Sequence, residues 1–246
     1  MKNFKVFSDS TQLAQAAAQM VIESAACAVA EKGNFHLVLS GGSTPGEVYS
    51  LLSQEPYRSS IDWKHVHLWW GDERCVAPEH PDSNYRKANE LLIRYLDIPK
   101  NQIHRIPAEL APAEAAKLYQ QEMQMCFSGS AFPRFDLILL GIGEDGHTAS
   151  LFPGTKALLE NKRWAVENHV EKMHAWRITL TYPAINAASK VVVLVSGTSK
   201  AKIIQRIFDH SERSKKYPIQ SVNPPQGKMQ WLCDESAASL ITSYSS

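Results

Sequence analysis

The stretch Asp136-Leu-Ile-Leu-Leu-Gly-Ile-Gly-Glu-Asp-Gly-His-Thr-Ala-Ser-Leu-Phe-Pro-Gly154 determines how the rest of this sequence is interpreted. It starts as a short apolar run, which predicts a buried strand, and continues into a loop that contains Gly141, Gly143, Asp145, Gly146 and His147. Glycines let the backbone turn tightly and approach a ligand closely. Open α/β sheets place their sites at the carboxyl ends of strands, and histidine suits proton transfer near neutral pH. The segment therefore predicts a strand that delivers an acid–histidine pair to a functional site.

Short apolar segments alternate with helical patterns along the chain. Strands are predicted at 35–39, 65–70, 135–140, 177–180, 191–195 and 230–233, and helices at 9–31, 44–53, 85–96, 112–127 and 198–208. Continuous apolar strands indicate a parallel sheet that is covered on both faces. Residues 211–228 lack periodicity and are interpreted as mostly loop, with a short strand at 219–222. The pattern predicts an α/β fold with a doubly wound sheet, formed by residues 1–246 as a single domain.

The composition favours a cytosolic protein and gives no sign of a nucleic-acid or membrane partner. Lys and Arg number 26 and Asp and Glu number 25, and this balance gives no support to a nucleic-acid or membrane-surface partner. No segment approaches the roughly 20 apolar residues of a membrane span, and the N-terminus does not resemble a signal peptide. The four cysteines are scattered without a CxxC pair or metal-like spacing; an even number allows disulfides, but reduced thiols are expected in a chain of this length.

A second glycine-rich loop follows the strand at 35–39. In Leu39-Ser-Gly-Gly-Ser-Thr-Pro-Gly-Glu47, Thr44 can cap a helix, with Glu47 as the return half of a capping box. A capping box needs no ligand, but it leaves Gly41, Gly42 and Ser43 unexplained. Backbone N–H groups at a helix N-terminus bind phosphate well, which favours an anion site. The Gly-Lys-Ser/Thr ending of a nucleotide-binding P-loop is absent.

Four further charged residues lie near the ends of predicted strands or within them. In Trp69-Trp-Gly-Asp-Glu-Arg74, Arg74 offers a fork suited to phosphate, and Asp72 can act as a base or an orienting acceptor. A surface ion pair between them is an equally good interpretation. Lys200 lies near a helix N-terminus, where the dipole disfavours a cation unless an anion is bound, although it can also point to solvent. Arg177 is interpreted on its own as an edge residue of a strand.

The strand ends converge on one kind of site. In a parallel sheet they gather at one edge, which places a cationic, glycine-lined anion site beside an acid–histidine pair. His147 is the candidate base, and Asp145 either orients it or faces the substrate; a purely structural pair is the alternative. This arrangement predicts a hydrolase or isomerase of a small phosphorylated molecule.

Six segments together resemble the family of glucosamine-6-phosphate isomerases and 6-phosphogluconolactonases, and within it the lactonases of the oxidative pentose phosphate pathway. They are Ser40-Gly-Gly-Ser-Thr-Pro45, Gly71-Asp-Glu-Arg74, His80-Pro-Asp-Ser-Asn-Tyr85, Gly141–Pro153, Arg177-Ile-Thr-Leu-Thr181 and Gly197–Lys200. The resemblance implies a three-layer α/β/α sandwich with a mainly parallel, Rossmann-like sheet.

The resemblance also implies a reaction and the residues that carry it. His147 would activate water to attack C1 of 6-phosphoglucono-1,5-lactone, with Asp72 and Asp145 beside it. The substrate phosphate would lie near Ser43, Thr44, Arg74, Arg177 and Lys200. No metal or organic cofactor is implied, and a monomer or small homo-oligomer is expected.

Two alternatives to the lactonase differ in their sequence signals. The deaminases of the family typically have an Asn-Glu-Pro segment after the histidine loop and Asp-Glu-Tyr near the second strand. This chain has Thr148-Ala-Ser-Leu-Phe-Pro153 and Asp72-Glu-Arg74 at those places, which favours the lactonase. The other alternative is a sugar-phosphate sensor without activity, against which His147 argues.

Overall fold

A computed structural model describes residues 3–208 and 217–241 and shows ten strands and seven α-helices within them. The strands are β1 Phe4–Phe7, β2 Phe35–Leu39, β3 Val66–Trp70, β4 Asp72–Arg74, β5 Ile103–His104, β6 Leu137–Leu140, β7 Ala165–Val170, β8 Ala175–Leu180, β9 Lys190–Val195 and β10 Lys228–Asp234. The helices are α1 Ser10–Lys32, α2 Ser43–Leu52, α3 Asn84–Leu91, α4 Pro112–Cys126, α5 Tyr182–Asn186, α6 Ala201–Phe208 and α7 Glu235–Ala238.

Seven strands form a central sheet in the order β1-β10-β9-β6-β2-β3-β5, and all neighbouring pairs are parallel. Four of the five inner strands, β9, β6, β2 and β3, are almost entirely buried. Continuous burial explains why these segments are apolar throughout and do not alternate with polar residues. The predicted α/β sandwich with a mainly parallel sheet is confirmed.

A second sheet was not foreseen as a separate unit. Strands β4, β8 and β7 pair antiparallel in that order. The strand predicted at 177–180 exists as β8, but it belongs to this smaller sheet. Strands β4 and β8 pair Arg74 with Arg177, and this pairing brings together two residues that are 103 positions apart in the sequence.

Helix α1 is long and apolar enough, by length and composition alone, to cross a membrane. This corrects the expectation that no segment approaches such a length. In the structure α1 is a core helix, because it packs against α2, β10 and β2. Its buried side chains are Leu13, Ala14, Ala17, Ala18, Val21, Ala25 and Ala28.

Two other local predictions were wrong in part. The helix predicted at 85–96 ends at Leu91 and is followed by a short 3-10 turn, Ile93–Tyr95. The strand predicted at 219–222 is instead a 3-10 turn, Pro218–Ser221. In that turn Ile219 is fully buried and donates its backbone N–H to the Gly146 carbonyl at 3.0 Å. Residues 211–216 of the predicted loop lie outside the described residues.

Three histidines stack in the interior beside Trp69. The ring centroids of His36 and His67 are 4.6 Å apart, and those of His67 and His104 are 5.2 Å apart. Trp69 Nε1 donates to His36 Nδ1 at 3.1 Å, which requires a neutral imidazole. Burial, together with the neighbouring His67 and other cationic groups, lowers the pKa of His36 to about 3.

Acid should therefore destabilise the protein through His36. The unfolded chain binds a proton at this histidine near pH 6.5, whereas the folded chain binds it only near pH 3. The stability that depends on neutral His36 is complete above pH 6.5 and is lost as the pH falls from there towards 3. Between pH 7 and pH 5, the unfolding free energy of the wild type should fall by about 1–2 kcal/mol more than that of His36→Gln. Urea unfolding at both pH values measures this difference, and equal losses would contradict it.

Candidate active site

The carboxyl ends of the inner strands open onto one cavity of about 230 Å³. Eight of the ten predicted site residues line it: Gly41, Gly42, Ser43, Thr44, Asp72, Arg74, His147 and Lys200. Asp145 and Arg177 do not line this cavity. Asp145 is hydrogen-bonded to His147, and Arg177 pairs with Arg74 in the small sheet. The predicted convergence of the four glycine-bearing strand ends is observed, because β9, β6, β2 and β3 are consecutive in the sheet.

His147 is held by an aspartate of its own loop. Its Nδ1 lies 2.5 Å from Asp145 Oδ1, and the same oxygen accepts the backbone N–H of His147 at 3.2 Å. Asp145 accepts these bonds as a carboxylate, so Nδ1 carries the ring proton and Nε2 is left as a proton acceptor. The Phe152 ring stacks on the imidazole with a centroid distance of 4.0 Å. Gly143 leaves the space for the ring, since a Cβ there would overlap the imidazole of His147.

The electrostatic environment keeps His147 neutral and Asp145 ionised. Burial lowers the pKa of His147, and the nearby carboxylates Asp145 and Asp72 offset only part of this effect. Burial alone would raise the pKa of Asp145, but hydrogen bonds from Lys172 and His147 outweigh it and lower this pKa to about 2. A neutral imidazole beside an ionised carboxylate is the protonation state that a general base requires.

Asp72 is bonded to other partners than His147. It is buried, and its Oδ2 accepts the Ser150 hydroxyl at 2.6 Å. The Asn84 side chain donates to the Asp72 carbonyl at 2.9 Å and to its Oδ1 at 3.3 Å. Asp145, and not Asp72, therefore hydrogen-bonds His147, while Asp72 forms part of the cavity wall.

Helix α2 supplies uncovered backbone donors to the cavity. The predicted capping box is absent: α2 begins at Ser43, its N-cap is Gly42, and no side chain caps it. The hydroxyl of Thr44 lies 2.6 Å from that of Ser196 at the end of β9 instead. The backbone N–H groups of Gly41 and Gly42 make no hydrogen bond within the described part of the chain. Such free donors at a helix N-terminus are suited to an anion.

Two arginines lie side by side where β4 pairs with β8. Arg74 lines the cavity and donates through Nη1 to the Asp82 carbonyl at 2.6 Å. Arg177 is 8% exposed, and its buried Nε has no hydrogen-bond partner among the described residues. Burial, followed by repulsion from Arg74, lowers the pKa of Arg177. An anion between or beside these guanidinium groups would relieve their mutual repulsion.

Glu73 is a structural residue of the site that the sequence analysis missed. Its buried carboxylate accepts the Ser83 hydroxyl at 3.0 Å and the backbone N–H groups of Asn84 and Tyr85 at 2.8 Å each. These bonds tie the start of α3 to β4 and so place Asn84 against Asp72. Ser150, Phe152 and Lys172 were not singled out either. Only the resemblance pointed to the segment around Asn84, and the bonding partners of Ser150 and Lys172 lie 78 and 27 positions away in the sequence.

A parallel α/β fold that places an uncapped helix N-terminus beside an aspartate–histidine pair is an arrangement typical of enzymes that act on small anionic substrates. A sequence model described as glucosamine-6-phosphate isomerases/6-phosphogluconolactonase matches residues 8–231, and the chain belongs to that family.

Named relatives specify the activity further. The 6-phosphogluconolactonase of Synechocystis sp. is 42% identical over 213 residues, which cover 85% of this chain and 86% of that protein. The 6-phosphogluconolactonase of Nostoc sp. is 37% identical over 244 residues, which cover 98% of this chain and 99% of that protein. The solved structure of 6-phosphogluconolactonase from Trypanosoma cruzi has a TM-score of 0.87 and 26% sequence identity. The match covers 99% of this chain and 98% of that chain.

Proposed function

We propose that this protein hydrolyses 6-phospho-D-glucono-1,5-lactone to 6-phospho-D-gluconate, a step of the oxidative pentose phosphate pathway. The family match and the two lactonase relatives support the reaction. The observation that carries the chemistry is the Asp145–His147 pair at 2.5 Å, beside uncovered N–H groups of a helix start. A lactone carbonyl is already electrophilic, so a positioned base and an anion site are sufficient for its hydrolysis.

In the proposed mechanism, His147 Nε2 takes a proton from water as the water oxygen attacks C1. The carbonyl oxygen becomes an oxyanion, and hydrogen-bond donors stabilise it. The bond between C1 and the ring oxygen then breaks, and the imidazolium returns its proton to that oxygen. Asp145 keeps Nδ1 protonated throughout and stabilises the imidazolium. The reaction consumes one water and converts the lactone into a carboxylic acid and a hydroxyl group on the former ring oxygen.

The backbone N–H groups that are available to bind an anion are those without a hydrogen-bond acceptor in the described part of the protein. The Gly143 N–H already donates to the His147 carbonyl, and the Gly146 N–H to the Gly143 carbonyl, both at 2.9 Å. The N–H groups of Gly41 and Gly42 remain uncovered. We assign them, with Ser43, Thr44, Arg74 and Lys200, to the binding of the substrate phosphate or of the oxyanion. Arg177 supports Arg74 from the neighbouring strand.

No cofactor enters the proposed reaction, and among the described residues no group of three His, Cys, Asp or Glu side chains is arranged to hold a metal ion. The proposed setting is the cytoplasm, with a small phosphorylated sugar lactone as the partner, without nucleic acid or membrane. A monomer or a small homo-oligomer and a single domain over residues 1–246 remain part of the proposal.

Turnover of freshly generated 6-phosphogluconolactone tests this function. The rate must be corrected for spontaneous hydrolysis, which rises with pH. Saturable turnover above that background is the expected result. Ammonia release from glucosamine 6-phosphate without lactone turnover would instead indicate the deaminase of the same family. Binding of 6-phosphogluconate without either reaction would indicate a sensor.

A further inference from the structure

Lys172 contacts both groups that hold His147. It lies in the 3-10 turn Glu171–Met173 between β7 and β8, and its ammonium donates to Asp145 Oδ2. The same ammonium lies 4.9 Å from the centroid of the Phe152 ring, which stacks on the imidazole of His147. A cation from the turn of the small sheet therefore reaches the loop of His147 without lining the substrate cavity.

The carboxylate of Asp145 uses its two oxygens for different partners. Oδ1 accepts both the ring and the backbone N–H of His147, whereas Oδ2 bonds only Lys172 among the described residues. Without a partner on Oδ2, the carboxylate could rotate about its Cβ–Cγ bond and move Oδ1 out of line with the Nδ1–H bond of the imidazole. The Lys172 contact fixes this rotation.

We propose that Lys172 is a positioning residue for the reaction, which holds Asp145 Oδ1 against His147 Nδ1 and so keeps Nε2 as the proton acceptor. This inference rests on the proposed lactonase function. Lys172 does not line the substrate cavity but lines a separate groove together with Asp145 and Phe152. It should therefore act on the rate of the chemical step and not on substrate binding.

The contact is too exposed to matter much for folding. The Lys172 side chain is 53% exposed, and exposed ion pairs contribute only about 0–1 kcal/mol to stability. A change in turnover after substitution would therefore not reflect unfolding. This separation makes the positioning role testable.

The charges around His147 determine how its pKa should respond. The titratable or charged groups near it are Asp145 of its own loop, Asp72 and Arg74 of β4, Lys172, Lys200 and Tyr217. The carboxylates Asp145 and Asp72 raise the pKa of His147, and the ammonium of Lys172 lowers it. Removal of Lys172 takes away the lowering charge, so the pKa of His147 should rise. The acid limb of kcat/KM should then move to higher pH.

The decisive comparison is between Lys172→Met, Lys172→Arg and the control Lys156→Met. Lys156 lines the same groove without contacting Asp145. We expect Lys172→Met to lower kcat by about tenfold through misalignment of the base, with KM for the phosphorylated lactone changed less than twofold. Lys172→Arg should restore most of the rate, and Lys156→Met should match the wild type.

Imidazole NMR titration of His147 provides a readout that does not depend on turnover. The resonance is assigned by its loss in His147→Asn, and its pKa should be higher in Lys172→Met than in the wild type. An unchanged kcat or an unmoved His147 pKa in Lys172→Met would overturn the proposal. If the wild type itself fails to hydrolyse the lactone, the proposed function fails, and the titration still reports whether Lys172 controls His147.

Discussion

Replacement of His147 by asparagine should lower kcat/KM for the phosphorylated lactone by about 10²–10⁴-fold, the usual contribution of a general base. Asparagine retains a donor towards Asp145 but cannot take a proton from water. The corrected initial rate of lactone hydrolysis measures the effect. Binding of 6-phosphogluconate should be almost unchanged, because the proposed anion donors lie at the start of α2, on β4 and at Lys200.

His65→Asn is the matched control for this substitution. His65 is exposed and lies at the amino end of β3, at the opposite edge of the sheet from the cavity. Its variant should keep wild-type activity. Equal activity in His147→Asn and the wild type would exclude His147 as the base.

The pH dependence of the wild type gives a second readout for His147. Burial lowers the pKa of this group below its usual 6.5, so the neutral base persists at mildly acidic pH. The acid limb of kcat/KM, which reports the free enzyme, should therefore lie below pH 6.5. An acid limb above pH 6.5 would contradict the environment described for His147.

The sheet and the edge that carries the site could be predicted because the relevant signals are local. Each of the strands β9, β6, β2 and β3 is a short apolar run followed directly by a glycine or a serine, as after Leu39 and Leu140. A parallel sheet gathers such ends without further information. Eight of the ten predicted residues accordingly line one cavity.

Predictions failed where a residue's partner lies far away in the sequence. Thr44 has the sequence context of a helix cap, but its hydroxyl is hydrogen-bonded to that of Ser196, 152 residues later. Arg177 looked like an isolated edge residue until β8 paired with the three-residue strand β4. Lys172 has no local motif at all, and its contact with Asp145 exists only because β7 and β8 form a hairpin beside the catalytic loop.

Arg74→Ala should raise KM for the phosphorylated lactone by about 10–100-fold, since hydrogen bonds to charged groups contribute about 1.5–3 kcal/mol. The effect on the KM for unphosphorylated gluconolactone should be much smaller, because that substrate lacks the phosphate group that Arg74 is proposed to bind. Steady-state kinetics on both lactones measures the difference. Arg74→Lys should give an intermediate KM, since it keeps the charge but loses the planar fork.

The neighbouring Arg177 adds a stability signature to this prediction. Two adjacent guanidinium groups repel each other, and Arg177 is the buried one. Arg74→Ala removes that repulsion together with the bond to the Asp82 carbonyl, so the Tm of the free protein should change little. The rise in Tm on addition of 6-phosphogluconate should, however, be much reduced, because ligand-induced stabilisation follows affinity.

Arg58→Ala serves as the control for Arg74→Ala, because Arg58 is exposed and its guanidinium pairs only with Glu55 among the residues that the structure describes. It should retain both the kinetics and the ligand-induced rise in Tm. A purely structural Arg74 would behave differently: its loss would lower the Tm of the free protein and affect both lactones equally. The ratio of the KM changes for the two lactones thus separates phosphate recognition from packing, and a ratio near one would remove Arg74 from the anion site.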